Sequence, residues 1–179
     1  MEFLINWFAS LDWPIINRLL VAAALGGFVG FERERSGKVA GLRTHTLVSL
    51  GAALLTVITE RLFYTFPSVN GELGLDYHII ANIVVGIGFI GAGTILRRDD
   101  NKIEGTTTAA SLWVVAAIGI ASGFGFYQEA IATTVVAYVV LAGLWLLEKH
   151  LTRELRYKGQ GIYGELKQSE NPGPDYSEK

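Results

Sequence analysis

The sequence has 179 residues, of which 50% are hydrophobic and 18% are charged, with a formal net charge of −2. A soluble domain carries about 25% charged residues, so this composition argues against a soluble protein, and the charge argues against nucleic acid as a partner. The absence of cysteine excludes disulfides and thiolate metal sites. Residues 1–14 have no basic region and no small-residue cleavage site, so we interpret them as mature sequence rather than a signal peptide.

Five apolar segments are long enough to cross a bilayer, since a spanning helix needs about 20 mostly apolar residues. In chain order the predicted helices cover about residues 14–32, 42–60, 78–97, 106–126 and 129–148. A soluble core is excluded because so many apolar segments leave too little polar surface to cover them. The sequence therefore predicts an all-α, polytopic membrane domain over residues 1–148, a bundle of five transmembrane helices. Residues 149–179 form a short tail that we expect to be largely mobile after about residue 158.

The distribution of lysine and arginine predicts the orientation of these helices. Four basic residues, the last of which is Arg43, connect helices 1 and 2, one lies in the next loop, three in the third loop and none in the fourth. The tail begins with four more, at positions 149–158. This alternation places the N-terminus outside and the C-terminus in the cytoplasm. We expect a multi-pass protein of the cell inner (plasma) membrane, in contact with membrane lipid.

Glycines in the predicted helices are spaced for close helix packing, which lipid-embedded helices need because their association relies on short contacts. They are Gly26 and Gly30 in helix 1, and Gly86, Gly88, Gly91 and Gly93 in helix 3. The string 86–91 formally matches a dinucleotide fingerprint, but it lies inside an apolar helix with no preceding strand, so we interpret it as packing. Small faces on helices 1, 3 and 4 predict a homo-oligomer, with a homodimer as the expected form.

The charged segment between helices 1 and 2 is the first candidate functional site. Two acids adjoin the helix end, where a positive-inside loop needs none, and a basic cluster leads directly into apolar sequence. Ionisable groups at a membrane edge are costly and usually pair or line a polar cavity. The alternative is a solvated loop with snorkelling arginines. The candidate residues are Glu32, Arg33, Glu34, Arg35, Arg43, Thr44 and His45.

Polar residues inside the helices give further candidates. His45, Ser49, Ala52, Thr56 and Thr59 share one face of helix 2. This face would either line a small polar crevice or bond back to its own helix carbonyls.

The start of helix 4 and two isolated positions complete the candidate residues. Gly105, Thr107, Thr108 and Ser111 can cap helix 4 or, at its N-terminus, attract an anion. Asn82 in helix 3 is placed to hydrogen-bond between helices. Glu32 and Asp76 are the weak candidates for a metal ligand, with Mg²⁺ as the ion, and we expect no other cofactor.

Two motif segments resemble the MgtC/SapB family of bacterial and archaeal membrane proteins. They are GGFVGFERERSGKVAGLRTHTLVSLGAAL (26–54) and GIGFIGAGTIL (86–96) followed by GTTTAASLWVVAAIGI (105–120). The resemblance implies a five-helix inner-membrane protein tied to growth in low magnesium and to regulation of ion homeostasis. It also implies a partner such as the F-type ATP synthase. Many members carry an ACT-like domain after helix 5, so we interpret this sequence as a short form, and Asn82 stands where the family usually has glutamine.

These patterns support two functional hypotheses. The first is a regulator of membrane transport or energetics in magnesium and ion homeostasis, acting through the cytoplasmic motifs. The alternative is a small-ion transporter or channel. The sequence has no HExxH, G-x-S-x-G or GxxxxGK[ST] motif, so we expect no enzymatic activity.

Overall fold

The computed structural model describes residues 1, 12–65, 77–97 and 103–143. These residues form five helices: α1 (Trp13–Arg35), α2 (Leu42–Thr65), α3 (Tyr77–Gly93), α4 (Thr106–Gly123) and α5 (Tyr127–Gly143). Two short strands between α3 and α4, β1 (Leu96–Arg97) and β2 (Ile103–Glu104), pair antiparallel. By length and composition α1, α2 and α4 can cross a membrane, whereas α3 and α5 are shorter apolar helices in the described part of the chain.

Helices α1 and α3 end at residues other than the predicted ones. Helix α1 is extended by a hydrogen bond, and α3 stops at a glycine. Helix α1 continues to Arg35, beyond residue 32, because the Ser36 backbone N–H still bonds to the Glu32 carbonyl at 3.0 Å. Helix α3 stops at Gly93, and the strand pair takes the place of the predicted helix to residue 97. Asp76 and the tail 149–179 lie outside the described residues.

Helices α1, α2 and α4 pack against one another through glycines. At Gly26 of α1, an added Cβ would lie 2.5 Å from the Ser49 Cβ on α2. At Gly123 of α4, it would lie 2.7 Å from the Ala53 carbonyl oxygen. Because glycine has no side chain, the backbones approach closely enough for direct van der Waals packing in lipid. The face of α2 that carries Ser49, Ala52 and Thr56 is consequently buried.

Helix α3 packs mainly on α4 and leaves much of its surface open. Ile83 and Ile87 join a core cluster with Ala52 of α2 and Ala116 of α4, and Gly91 faces Ala109. The other glycines of this helix have no atom within 4 Å of an added Cβ; they are Gly86, Gly88 and Gly93. Three of the four glycines of α3 therefore make no close contact in the described part of the chain.

The chain divides into two compact units, residues 1–138 and 139–179. In the first unit, the part of α5 up to Tyr138 packs on α1, with the rings of Phe28 and Tyr138 4.9 Å apart. The second unit is described over residues 139–143, which form the last turn of α5.

Candidate functional site

The end of α1, the start of α2 and the start of α4 meet at one end of the helix bundle. We call this region, residues 31–45 and 105–111, the motif end. The antiparallel arrangement of α1 and α2 brings the turn 36–41 to this end, and a hydrogen bond between His45 and Ser111 brings α4 to it. Both sequence motifs therefore lie at the same end of the bundle.

Glu32 and Arg33 form a buried ion pair at the motif end. Arg33 Nε donates to Glu32 Oε2, and the Ser36 hydroxyl donates to Glu32 Oε1 at 2.8 Å. Arg33 is only 2% exposed. Burying a charge is costly unless it is paired and hydrogen-bonded, so these contacts explain how both residues lie inside the bundle.

Glu34 serves a different purpose, since it caps the next helix. Its carboxylate Oε2 accepts a hydrogen bond at 2.8 Å from the backbone N–H of Leu42, the first residue of α2. A negative group at a helix N-terminus satisfies a free N–H and interacts favourably with the helix dipole. Gly41 allows this contact, because an added Cβ there would lie 2.7 Å from the same oxygen.

His45 connects α2 to α4 and is completely buried. Its Nδ1 lies 2.9 Å from the Gly41 carbonyl oxygen, and its Nε2 lies 3.0 Å from the Ser111 hydroxyl. A carbonyl can only accept, so Nδ1 carries a hydrogen. The Ser111 hydroxyl also lies 2.8 Å from the Thr108 carbonyl. It donates there when Nε2 is protonated, and it donates to His45 when Nε2 is not.

Gly105 begins α4 with a left-handed backbone conformation, φ +93°. An added Cβ would overlap the carbonyl of Thr94, which follows α3. Only glycine combines this conformation with so close an approach of two chain segments. The cap is made by the backbone, with the Ala109 N–H bonding to the Gly105 carbonyl at 2.9 Å, and no side chain caps the helix.

The remaining candidates at the motif end divide by exposure. Thr108 and Ser111 are buried, whereas Thr107 is exposed. Arg35 and Arg43 are exposed, and Thr44 is half-buried. The structure thus brings Glu32, Arg33, His45, Thr108 and Ser111 into the interior and leaves the other basic residues outside.

The polar face predicted on α2 is buried along its length. The Ser49 hydroxyl crosses to α1 and donates to the Ala22 carbonyl at 2.8 Å. The hydroxyls of Thr56 and Thr59 instead donate to carbonyls of their own helix, at 2.8 and 2.7 Å. Of the two interpretations left open, back-bonding therefore describes the two threonines, and a helix-to-helix contact describes Ser49.

A second ion pair at the opposite end was not found from the sequence. Arg18 Nη1 donates to the Glu60 carboxylate and, at 3.0 Å, to the Gly123 carbonyl. It joins α1, α2 and α4 with partners 42 and 105 residues away. A charged residue inside an apolar segment was the available signal, because such a residue usually has a partner.

Asn82 is exposed in the described part of the chain. It lines an otherwise apolar groove of about 600 Å³ between α2 and α3. The groove lies on the side where Gly86 is open.

The carboxylates do not form a metal site in the described residues. No group of three or more His, Asp or Glu side chains is close enough there to hold an ion. Both oxygens of Glu32 are engaged by Arg33 and Ser36, so this carboxylate does not fit a Mg²⁺ ligand in the observed arrangement.

The chain is similar in sequence to several named proteins. The chain is 46% identical over 127 residues to YhiD of Escherichia coli (strain K12), whose name proposes a magnesium transporter; the aligned part is 70% of this chain and 58% of YhiD. It is 35% identical over 147 residues to SapB of Bacillus subtilis (strain 168), covering 82% and 62% of the two chains. It is 40% identical over 138 residues to MgtC of Salmonella typhimurium (strain LT2), covering 77% and 54%.

The chain thus spans less than two thirds of the length of these relatives, and no solved structure was found to match it. A sequence model of the MgtC family matches residues 19–150, which include all the residues of the motif end. Together with the apolar helices, this match shows that the chain is a membrane protein and belongs to the MgtC family.

Proposed function

We propose that this protein regulates magnesium and ion homeostasis through its motif end. The observation that carries the proposal is the hydrogen bond between His45 and Ser111, next to the buried pair of Glu32 and Arg33. This hydrogen bond connects the motif at residues 31–45 to the motif at residues 105–111, which lie far apart in the sequence. The name of the relative YhiD, which proposes a magnesium transporter, supports the link to magnesium.

We further propose five membrane spans in the inner membrane, with the N-terminus outside and the motif end in the cytoplasm. The alternation of lysine and arginine between the helices supports this orientation. Helix α3 has 17 residues and therefore a length of about 25 Å, against about 30 Å for the bilayer core, so it would span with little tilt.

The protein would act on another membrane complex rather than by catalysis. The family resemblance makes the F-type ATP synthase one candidate for that complex, and Mg²⁺ the ion whose supply is regulated. The exposed arginines and the exposed hairpin side chains of Leu96 and Ile103 at this end are available for such a contact.

Growth in limiting Mg²⁺ tests the proposal. A strain that depends on this protein would carry Glu32→Gln, Arg43→Gln or His45→Gln, and the amount of each variant in the membrane would be measured. We expect at least one of them to grow markedly more slowly than wild type at equal protein level, with normal growth restored by high Mg²⁺. Ser122→Ala is a matched control, because in the described residues its hydroxyl donates to Ile118 of its own helix. Wild-type growth of all three variants would refute the proposal.

Small-ion transport is the second candidate, and buried polar side chains favour it. They follow α2 from His45 to Thr59, between the ion pair of Glu32 and Arg33 and that of Arg18 and Glu60. Their hydroxyls are engaged and glycines close the helix contacts, so an ion would pass only if the helices separate. Ion flux into proteoliposomes that contain the purified protein would favour transport over regulation.

A further inference from the structure

At the motif end both acids are hydrogen-bonded within the chain, whereas three of the four basic residues are exposed. Glu32 bonds to Arg33 and Ser36, and Glu34 bonds to the N-terminus of α2. Arg35, Lys38 and Arg43 are exposed, and none of them forms an ion pair with a carboxylate in the described part of the chain. Acidic and basic residues alternate in this part of the sequence, but the outer surface of the motif end is mainly positive.

The backbone holds these three residues close to one another. Arg35 is the last residue of α1, and Arg43 is the second residue of α2. Lys38 lies in the turn between them, where its N–H donates to the Arg33 carbonyl at 3.0 Å. Gly37, with φ +66°, and the cap by Glu34 define the turn. All three charges are therefore presented from one ordered turn.

Exposed apolar side chains lie beside these charges. Phe31 is 58% exposed, Val39 is 73% exposed and Leu42 is 39% exposed. A soluble acidic partner or a free phosphate ion would leave these side chains in water. A phospholipid offers a phosphate next to hydrocarbon, and so it matches both parts of the surface.

We propose that Arg35, Lys38 and Arg43 bind the phosphate of an anionic phospholipid headgroup, with Phe31, Val39 and Leu42 against the acyl region. One guanidinium group can donate two parallel hydrogen bonds to the oxygens of a phosphate, so the two arginines are well suited to this contact. Lys38 lies within electrostatic range of Glu32, so the arginines carry most of the affinity. This binding goes beyond the proposed function, because it requires neither magnesium nor a cytoplasmic location.

Native mass spectrometry of the purified full chain in a neutral detergent tests the lipid site. The protein would be titrated with phosphatidylglycerol and, separately, with phosphatidylcholine that has the same acyl chains. We expect wild type to bind phosphatidylglycerol at least tenfold more tightly. Each of Arg35→Gln and Arg43→Gln should weaken that binding about fivefold and leave phosphatidylcholine binding unchanged.

Arg61→Gln is the matched control, because Arg61 is an exposed arginine paired with Asp12, which directly precedes α1, at the opposite end of the bundle. Equal affinity for the two lipids would overturn the proposal, as would an equal loss in the control variant. Displacement of the lipid by millimolar inorganic phosphate would assign the site to free phosphate instead. A melting temperature equal to wild type in each variant shows that loss of binding is not loss of folding. Growth in low Mg²⁺ is not part of this measurement, so failure here leaves the proposed function standing.

Discussion

Glu32 and Glu34, two positions apart, have different structural roles at the motif end. Glu32 neutralises Arg33 inside the bundle, whereas Glu34 is exposed and satisfies the first N–H of α2. The sequence indicated that acidic residues at this helix end have a specific role, since a positive-inside loop does not require them. It did not reveal that the two roles differ, because the partner of Glu34, the N–H of Leu42, is brought to it by the turn between α1 and α2.

The two glutamates should respond differently to neutralisation. Glu32→Gln removes the carboxylate of a buried ion pair and should lower the free energy of unfolding by about 3 kcal/mol. Glu34→Gln keeps a hydrogen-bond acceptor at the start of α2 and should cost about 1 kcal/mol or less. Thermal unfolding of both purified variants in the same detergent measures the difference. A larger loss for Glu34→Gln would contradict the assignment.

At the scale of the helices, glycine position decides which contacts are close. Gly26, Gly30, Gly119 and Gly123 all lie where an added Cβ would meet another helix within 3 Å. Gly51, by contrast, points into open space. The spacing of glycines in the sequence indicated packing but could not distinguish filled from open positions, because both kinds repeat at helical intervals.

A single added methyl group tests this distinction. Gly26→Ala forces α1 away from Ser49 and should destabilise the protein by about 1–3 kcal/mol. Gly51→Ala, the matched control on α2, meets no atom and should leave stability unchanged or raise it by up to about 1 kcal/mol, because alanine favours the helix. The measurement is the melting temperature of each purified variant. Equal effects would show that the helices do not cross at Gly26.

Helix α3 is where a second copy of the chain would be expected to bind. Asn82 is exposed on it, and Gly86 lies one turn further along with no neighbour within 4 Å of an added Cβ. An amide facing lipid gains from a hydrogen-bonding partner, and an open glycine lets another backbone approach. The homodimer expected from the sequence remains a prediction, and this face is its proposed contact.

Replacing the amide tests that contact. Asn82→Leu should weaken dimerisation about three- to tenfold, since a hydrogen bond between membrane helices contributes about 0.6–1.4 kcal/mol. Native mass spectrometry over a range of protein-to-detergent ratios gives the dimer fraction. Ile58→Leu, an exposed position on α2, serves as the control. A wild-type protein that is monomeric at every ratio would contradict the prediction.

At the scale of the whole molecule, apolar segment length was enough to predict a helical membrane protein. Long-range side-chain pairs could not be predicted from the sequence, because they depend on how the helices pack. His45 contacts Ser111, 66 positions away, and Arg18 contacts Glu60, 42 positions away. The strand pair after α3 was missed for another reason. The segment Leu96–Glu104 is short and charged, so neither hydropathy nor periodicity indicates strands there.

The central claim is that the two motifs act as one unit through the contact between His45 and Ser111. The most direct test compares growth in limiting Mg²⁺ of His45→Ala, Ser111→Ala and the double variant, at equal protein level in the membrane. If the contact carries the function, both single variants should be impaired and the double variant should grow like the weaker single one. Wild-type growth of both single variants, or a double variant that shows the product of two independent defects, would contradict it.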